Sequence, residues 1–197
     1  MIVLLQMPYA AIEHPSIALG LLQAECQRSG LAVRSLYPNL QWRELLGSEV
    51  YHAISGSVTE DLVGEWTFAR TAFDWTWEQE QAYLEMVCSR GNLASLAGAR
   101  EILLATRQKA GQFVENLALE ILSLKPRIVG ASSTFQQHCA SLALLRKLKA
   151  LDPTVVTVMG GANCEGIMGV TLARNFNWVD YVVSGEADKL AVPFFVS

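Results

Sequence analysis

The sequence predicts an α/β protein in which helices cover both faces of a parallel β-sheet. Five short apolar runs are rich in valine and isoleucine and lack strict alternation, which is typical of strands buried on both faces. Helical patterns separate these runs, and such repetition predicts right-handed crossovers between parallel strands. A chain of 197 residues with 51% hydrophobic and 17% charged residues also fits one well-buried domain.

The five predicted strands share short length and a high content of branched aliphatic residues. They cover residues 2–6, 31–38, 127–132, 154–160 and 178–185. Strands connected in this way predict a flavodoxin-like or Rossmann-like doubly wound sheet with the order 2-1-3-4-5.

Helices are predicted between most of these strands. The first spans 15–30, with Pro15 in its first turn and Gly30 at its end, the usual asymmetry of helix termini. Segments 135–153 and 164–176 follow the third and fourth strands, and a last helix begins at residue 186.

Residues 39–126 are far more than one crossover needs, and they predict a mostly helical insertion within a single domain spanning 1–197. The helical segments in it are 40–54, 59–73, 76–90 and 99–126. In the last segment, one face carries Phe113, Leu117, Ile121 and Leu124 at helical spacing. Core packing is the expected role of Trp42, Trp66, Trp75 and Trp77, and the alternative is that some line a site or a docking surface.

Composition excludes several classes of function. The net charge is −4 and no basic stripe is present, which argues against binding to duplex nucleic acid. The apolar N-terminus is short and has no basic residue before it, so we expect neither a signal peptide nor a membrane anchor, and a cytoplasmic location. The four dispersed cysteines predict free thiols.

Familiar catalytic and phosphate-binding motifs are also missing from the sequence. It contains no GxxxxGKS, GxGxxG or GxSxG, and its three histidines show no metal-ligand spacing. Ser133 and His138 could be adjacent, but they do not form a convincing triad. Glu165 and Glu186 are weak candidates for acid–base work, and both could simply lie in first turns of helices.

The loops after the strands are where an open parallel sheet binds ligands. They read QMPYAAIEHPS, SSTFQQH, GGANCEG and SGEAD, and they offer hydroxyls, amides and glycines. Gly160 and Gly161 either form a tight turn or let a bulky ligand approach the backbone. These loops suit a large neutral organic ligand better than a reaction performed by the protein's own side chains.

The segments SSTFQQ, GGANCEG and VDYVVSGEAD, each at a strand end, resemble the cobalamin-binding domain that precedes the core of many radical S-adenosylmethionine enzymes. The chain is most similar to the branch that matures ribosomally made peptides (RiPP maturation), often by C-methylation. In that branch we expect an opening like MPYA followed by PSIALGLL, a YPNL after the second strand and a stretch like LVGEWTFARTAF in the insertion. All of these segments are present here. The resemblance covers essentially the whole chain.

The resemblance implies that the chain holds methylcobalamin as the methyl carrier of a radical methyltransferase. It places hydroxyls of the third strand end near the nucleotide tail, Phe135 and Gln136 near the corrin, and the later loops along its edge. The implied cofactor-binding residues are Met7, Tyr9, Ser132, Ser133, Thr134, Phe135, Gln136, Gly160, Gly161, Ala162, Asn163, Ser184, Gly185 and Glu186.

Two departures from related proteins shape these expectations. The Asp-x-His-x-x-Gly motif of the mutases and methionine synthase is absent, so we expect base-off cobalamin without a histidine ligand. No CxxxCxxC is present, so we expect the iron–sulfur cluster, S-adenosylmethionine and peptide substrate to belong to a missing downstream core, and this chain alone to be noncatalytic. The alternatives are a flavodoxin-like regulatory or interaction module without a corrin and, third, a flavin or nucleotide binder.

Overall fold

A five-stranded parallel sheet forms the centre of the chain, which a computed structural model describes over residues 1–73, 77–187 and 190–196. The strands are β1 (Ile2–Gln6), β2 (Val33–Leu36), β3 (Ile128–Ser132), β4 (Val156–Gly160) and β5 (Tyr181–Val182). Their order is β2-β1-β3-β4-β5, and all neighbouring pairs are parallel. This confirms the predicted doubly wound sheet, whose switch point lies between β1 and β3.

Helices connect the strands and extend the fold on one side. They are α1 (Ile17–Arg28), α2 (Pro38–Leu46), α3 (Ser48–Ser55), α4 (Val63–Ala72), α5 (Trp77–Cys88), α6 (Gly91–Ala94), α7 (Ala99–Ser123), α8 (His138–Leu151), α9 (Gly166–Asn175) and α10 (Ala191–Val196). Among the described helices, none combines the length and apolar character needed to cross a membrane.

Each face of the sheet packs against its own helices because successive strand side chains point to opposite faces. On one face, Ile2, Leu4 and Val158 form a small core with α1 and α10. On the other face, Val3 and Val129 belong to a larger core that continues into α4, α7 and α8. The core under α1 and α10 is therefore the smaller of the two.

The predicted helical insertion is present and shares the larger core with the sheet. Trp42 and Trp66 are buried there, as predicted, and so are Phe113 and Leu117 on α7. Trp75 lies outside the described residues, and the side chain of Trp77 at the start of α5 is likewise outside them.

Several element boundaries differ from those predicted. Segment 40–54 forms two helices instead of one, because Gly47 adopts φ +84° and ends α2. The short helix α6 was not predicted. The fifth strand is two residues long instead of eight, because it pairs only with β4 at the edge of the sheet. The carboxylate of Asp180, just before β5, accepts a hydrogen bond from the backbone N–H of Thr157 on β4.

The carboxylate of Asp180 holds the start of this edge strand in place. Replacing Asp180 by asparagine is expected to make the free energy of unfolding less dependent on pH in the acid range. Partial burial alone would raise the pKa of Asp180, but hydrogen bonds from Lys149 and Thr157 outweigh it and lower the pKa. The carboxylate oxygen lies 2.6 Å from Lys149 Nζ and 2.8 Å from Thr157 N. Its stabilisation is therefore complete above the ordinary aspartate pKa of about 3.9 and is lost as pH falls through the lowered value.

Urea unfolding at pH 7 and pH 3 checks this expectation. Asp180→Asn should lose about 1 kcal/mol at pH 7 and much less at pH 3. Asp152→Asn is the comparison variant: the half-buried Asp152 carboxylate also has a lowered pKa, but it accepts from Thr154 within its own turn, so the loss at pH 7 should be smaller than for Asp180→Asn. An equal loss at both pH values for Asp180→Asn would contradict the assignment.

Candidate ligand-binding cleft

A cleft of about 810 Å³ lies between the sheet and the helices α1 and α10. It extends from the middle of β1, β3 and β4 to the loops that follow β4 and β5. Its size is in the range of small-molecule and cofactor sites, about 300–1,000 Å³. The cleft therefore lies near the carboxyl ends of the strands, where ligands bind in open α/β sheets.

Small residues on adjacent strands create the floor of this cleft. Gly130 and Ser132 on β3 and Gly160 on β4 occupy the cleft-facing positions, in alternation with residues that face the other core. Ser132 and Gly160 are direct neighbours in the register, and Gly130 pairs with Leu4. Glycine inside a strand weakens it and often marks the close approach of a ligand. Leu4 and Val158 also line the sheet side of the cleft, and a Cβ on Gly130 would lie 3.2 Å from Leu4 Cδ2, so the open part of the floor is at Ser132 and Gly160.

The walls of the cleft are mostly apolar. Leu19 and Leu22 come from α1, and Phe194 and Phe195 come from α10. The ring of Tyr181 on β5 meets that of Phe194 edge to face, with 4.8 Å between the ring centroids. A ligand here would contact aliphatic and aromatic surface on both sides.

Polar groups concentrate at the mouth of the cleft, and they are hydroxyls and carboxylates. Glu165 joins the two mouth loops, since it accepts hydrogen bonds from Gly185 N at 2.9 Å and Ser184 Oγ at 3.2 Å. Glu186 lies beside them. No described lining residue is lysine or arginine. The mouth is therefore better suited to hydrogen-bond donors than to a multiply charged anion.

An unpartnered acceptor lies next to the floor. Gln6 ends β1 and is paired in register with Ser132, and its Oε1 is buried without a hydrogen-bond donor among the described residues. A buried acceptor of this kind has a desolvation cost of about 1–3 kcal/mol unless a partner is supplied. Gln6 does not itself line the cleft, so this acceptor lies beside the floor and not on its surface.

The structure brings seven of the fourteen predicted cofactor-binding residues into the cleft. These are Ser132, Gly160, Gly161, Ala162, Ser184, Gly185 and Glu186. They come from three separate loops, as the strand-end argument predicted.

Other predicted residues lie elsewhere. Met7 and Tyr9 are buried in the larger core, where the Tyr9 hydroxyl donates to Thr67 Oγ1 at 3.3 Å and burial raises the pKa of Tyr9 well above its usual range. Thr134 is exposed beyond the cleft. Phe135, Gln136 and Asn163 face a second pocket on the α8 and α9 side. Cofactor contact by these residues stays a prediction.

Ser133 and His138 are adjacent, as the sequence suggested they could be. Ser133 Oγ lies 3.1 Å from His138 Nδ1, and Asn163 Nδ2 donates to the same hydroxyl at 3.1 Å. Ser133 is completely buried, so no substrate can reach this hydroxyl. The pair therefore connects the loop after β3 to α8 and the loop after β4.

Gly161 has a different role from Gly160. A Cβ on Gly160 would find only ordinary contact with Val183, at 3.7 Å. Gly161 has φ +97°, and its Cβ would lie 2.7 Å from the Ser133 carbonyl oxygen. The expected ligand approach therefore fits Gly160, whereas at Gly161 the missing side chain makes room for the neighbouring backbone.

Gln136 ties the loop after β3 to the helical insertion. Its Oε1 accepts from Gly64 N at 2.5 Å, and its Nε2 donates to the carbonyl oxygens of Ile54 and Ser55 at 3.4 and 3.2 Å. Its own carbonyl accepts from Tyr9 N at 3.2 Å. These contacts favour a structural role for this buried amide.

Replacing Gln136 by methionine is expected to destabilise the fold by about 2 kcal/mol, because the change keeps the volume but leaves Gly64 N–H buried without an acceptor. Urea unfolding measures the loss. Gln112→Met is the matched control, since Gln112 is exposed and bonds only to Asn116. Equal stabilities of the two variants would contradict the structural role.

The cleft also contains residues that sequence reasoning missed. They include Leu4, Leu19, Leu22, Gly130, Tyr181, Phe194 and Phe195. A glycine in the middle of a predicted buried strand was the available signal for Gly130. The others carry no local signal, because only the packing of α1 and α10 brings them together.

No family model, curated protein or solved structure matches this chain. Its candidate site is therefore argued from its own residues and geometry.

Proposed function

We propose that this chain binds cobalamin in the cleft under α1 and α10 and serves as the cofactor-holding module of a radical methyltransferase. The observation that carries the proposal is that three small residues, Gly130, Ser132 and Gly160, form the floor of a cleft of about 810 Å³. A polar, extended nucleotide tail needs open space against the sheet. Side chains of ordinary size at these three positions would fill that space.

The polar groups of the cleft support a corrin over a nucleotide or a flavin phosphate. Cobalamin carries many neutral amides. Their N–H groups can donate hydrogen bonds to Glu165, Glu186 and the hydroxyls of Ser132 and Ser184. The phosphodiester in the tail of cobalamin carries a single negative charge, whereas the phosphate monoester of a flavin or nucleotide carries nearly two and favours backbone N–H clusters or cations.

The positions of the three histidines support binding without a protein ligand to cobalt. His14 and His52 are exposed, and the latter lies 3.7 Å from Glu13. His138 is on the opposite side of the sheet, against Ser133. None of the three lines the cleft. We therefore propose base-off cobalamin, in agreement with the missing Asp-x-His-x-x-Gly motif.

When bound as methylcobalamin, the cofactor supplies a transferable methyl group. The residues of this chain bind and orient it, and the apolar walls from α1 and α10 exclude water from its tail. We propose that the acceptor is a ribosomally made peptide, which is the substrate class of the enzymes that the sequence resembles.

Titration of the purified chain with hydroxocobalamin, followed by gel filtration and ultraviolet–visible spectroscopy, tests the proposal. Co-elution with a base-off spectrum is the expected result. Co-elution with a base-on or histidine-ligated spectrum would keep the cleft assignment and overturn the unligated cobalt. Flavin mononucleotide is the control ligand, and its binding in place of cobalamin by a folded chain would overturn the proposal, as would failure to bind cobalamin.

A further inference from the structure

A second pocket, of about 450 Å³, lies on the side of the sheet that carries α8 and α9. It is bounded by the start of α4, the loop after β3, the start of α8 and one side of α9. It shares no lining residue with the cleft under α1 and α10. The two sites can therefore be tested independently.

Large apolar side chains surround this second pocket and are exposed to solvent. The exposed fractions are 46% for Leu62, 43% for Phe135, 76% for Ile167 and 52% for Met168. Single exposed apolar residues are normal, but four around one concavity form a patch of the kind that marks a binding site.

One of its polar lining residues is His138, and the tautomer of this imidazole follows from the hydrogen bonds around Nδ1. Asn163 Nδ2 donates to the Thr134 carbonyl oxygen at 2.6 Å and to Ser133 Oγ at 3.1 Å, so the orientation of the amide is fixed. The hydroxyl proton of buried Ser133 then has one acceptor among the described residues, Nδ1 of His138 at 3.1 Å. Neutral His138 accordingly carries its proton on Nε2.

This Nε2–H donor has no acceptor among the described residues. Nε2 lies on the opposite edge of the ring from Nδ1, and His138 lines the pocket. Burial lowers the pKa of His138, although Glu65 opposes this effect, and the ring stays neutral. The pocket thus offers a hydrogen bond to an acceptor in apolar surroundings.

The charges around the pocket favour a neutral ligand. Both carboxylate oxygens of Glu65 already accept backbone hydrogen bonds at the start of α8, from His138 N at 3.0 Å and Cys139 N at 2.6 Å. No described lining residue is lysine or arginine. An anionic ligand would therefore lose its hydration without gaining a counterion, and the one carboxylate among the described lining residues, that of Glu65, is already engaged by two backbone donors.

We infer that this pocket binds a small, neutral, apolar molecule with a carbonyl oxygen that accepts a hydrogen bond from His138 Nε2. The apolar part of the ligand lies against Phe135, Met168 and Leu172, and the carbonyl faces the imidazole. This site does not depend on cobalamin binding.

The test uses acetophenone and ethylbenzene, which have nearly the same shape and differ by a carbonyl in place of a methylene. Amide chemical shifts of the ¹⁵N-labelled chain give both Kd values. We expect acetophenone to bind about 3- to 10-fold more tightly, the effect of one neutral hydrogen bond, and the shifts to centre on α9 and the start of α8. His138→Phe should make the two Kd values equal.

A pair of substitutions on α9 locates the binding. Thr171 is exposed and lines the pocket, so Thr171→Trp should fill it and abolish binding of both probes. Val170→Trp is the control, because Val170 is exposed and does not line the pocket. Equal Kd values in the wild type would overturn the inference, and so would unchanged binding to Thr171→Trp. Both comparisons remain decisive if His138→Phe fails to fold.

Discussion

Replacing Gly160 by leucine is expected to weaken cobalamin binding by more than about 100-fold, equivalent to about 2.7 kcal/mol, and to leave the chain folded. The new side chain would project from β4 into the cleft beside Ser132, where the nucleotide tail is proposed to lie. Its Cβ meets only Val183, at 3.7 Å, so the folded chain can accept it without a clash at that atom. The glycine also weakens the strand, so the free energy of unfolding should change by less than about 1 kcal/mol.

Hydroxocobalamin titration and urea unfolding of the same preparation measure the two quantities. Gly111→Leu is the matched control at an exposed position of α7, where a Cβ meets no atom within 4 Å. It should bind like the wild type and be more stable by about 0.5–1 kcal/mol, because leucine is the better helix former. Wild-type affinity in Gly160→Leu would remove the cleft from consideration as the cobalamin site.

Gly161→Ala, one residue later, is expected to destabilise the protein by about 3 kcal/mol or more. Its backbone has φ +97° and ψ −179°, a region that is essentially restricted to glycine and has a cost of about 1–3 kcal/mol for other residues. The added Cβ would also lie 2.7 Å from the carbonyl oxygen of Ser133 and 3.1 Å from its nitrogen. Both are backbone atoms and cannot rotate away, so the loops after β3 and β4 would have to separate.

Gly30→Ala separates the strain from the clash. Gly30 also has a positive φ, +74°, but a Cβ there meets no atom within 4 Å. Its loss should be about 1 kcal/mol, from the backbone conformation alone. If urea unfolding gave the same loss for Gly30→Ala and Gly161→Ala, the close packing of Gly161 on Ser133 would be refuted. Substitution of Gly160 should therefore affect cobalamin binding, whereas substitution of its neighbour Gly161 should affect stability.

The strand ends predicted those cleft-lining residues that project from the loops after the strands. Ser132, Gly160 and Ser184 could be predicted because a parallel sheet brings the carboxyl ends of its strands to one edge. Gln136 lies in the same loop after β3, yet it points into the helical insertion and bonds Gly64. The direction of this side chain depends on a positive φ of 61°, which the surrounding sequence does not indicate.

The sequence by itself determined the α/β class, the strand order 2-1-3-4-5 and the helical insertion between strands two and three. These follow from local apolar patterns and the handedness of crossovers, which depend on near neighbours in the chain. Tertiary structure alone decided which face of the sheet remains open, that α10 forms a wall of the cleft, and that Gln136 bonds Gly64. Those outcomes depend on how distant side chains fill the space between layers, because packing is a property of volumes brought together by folding.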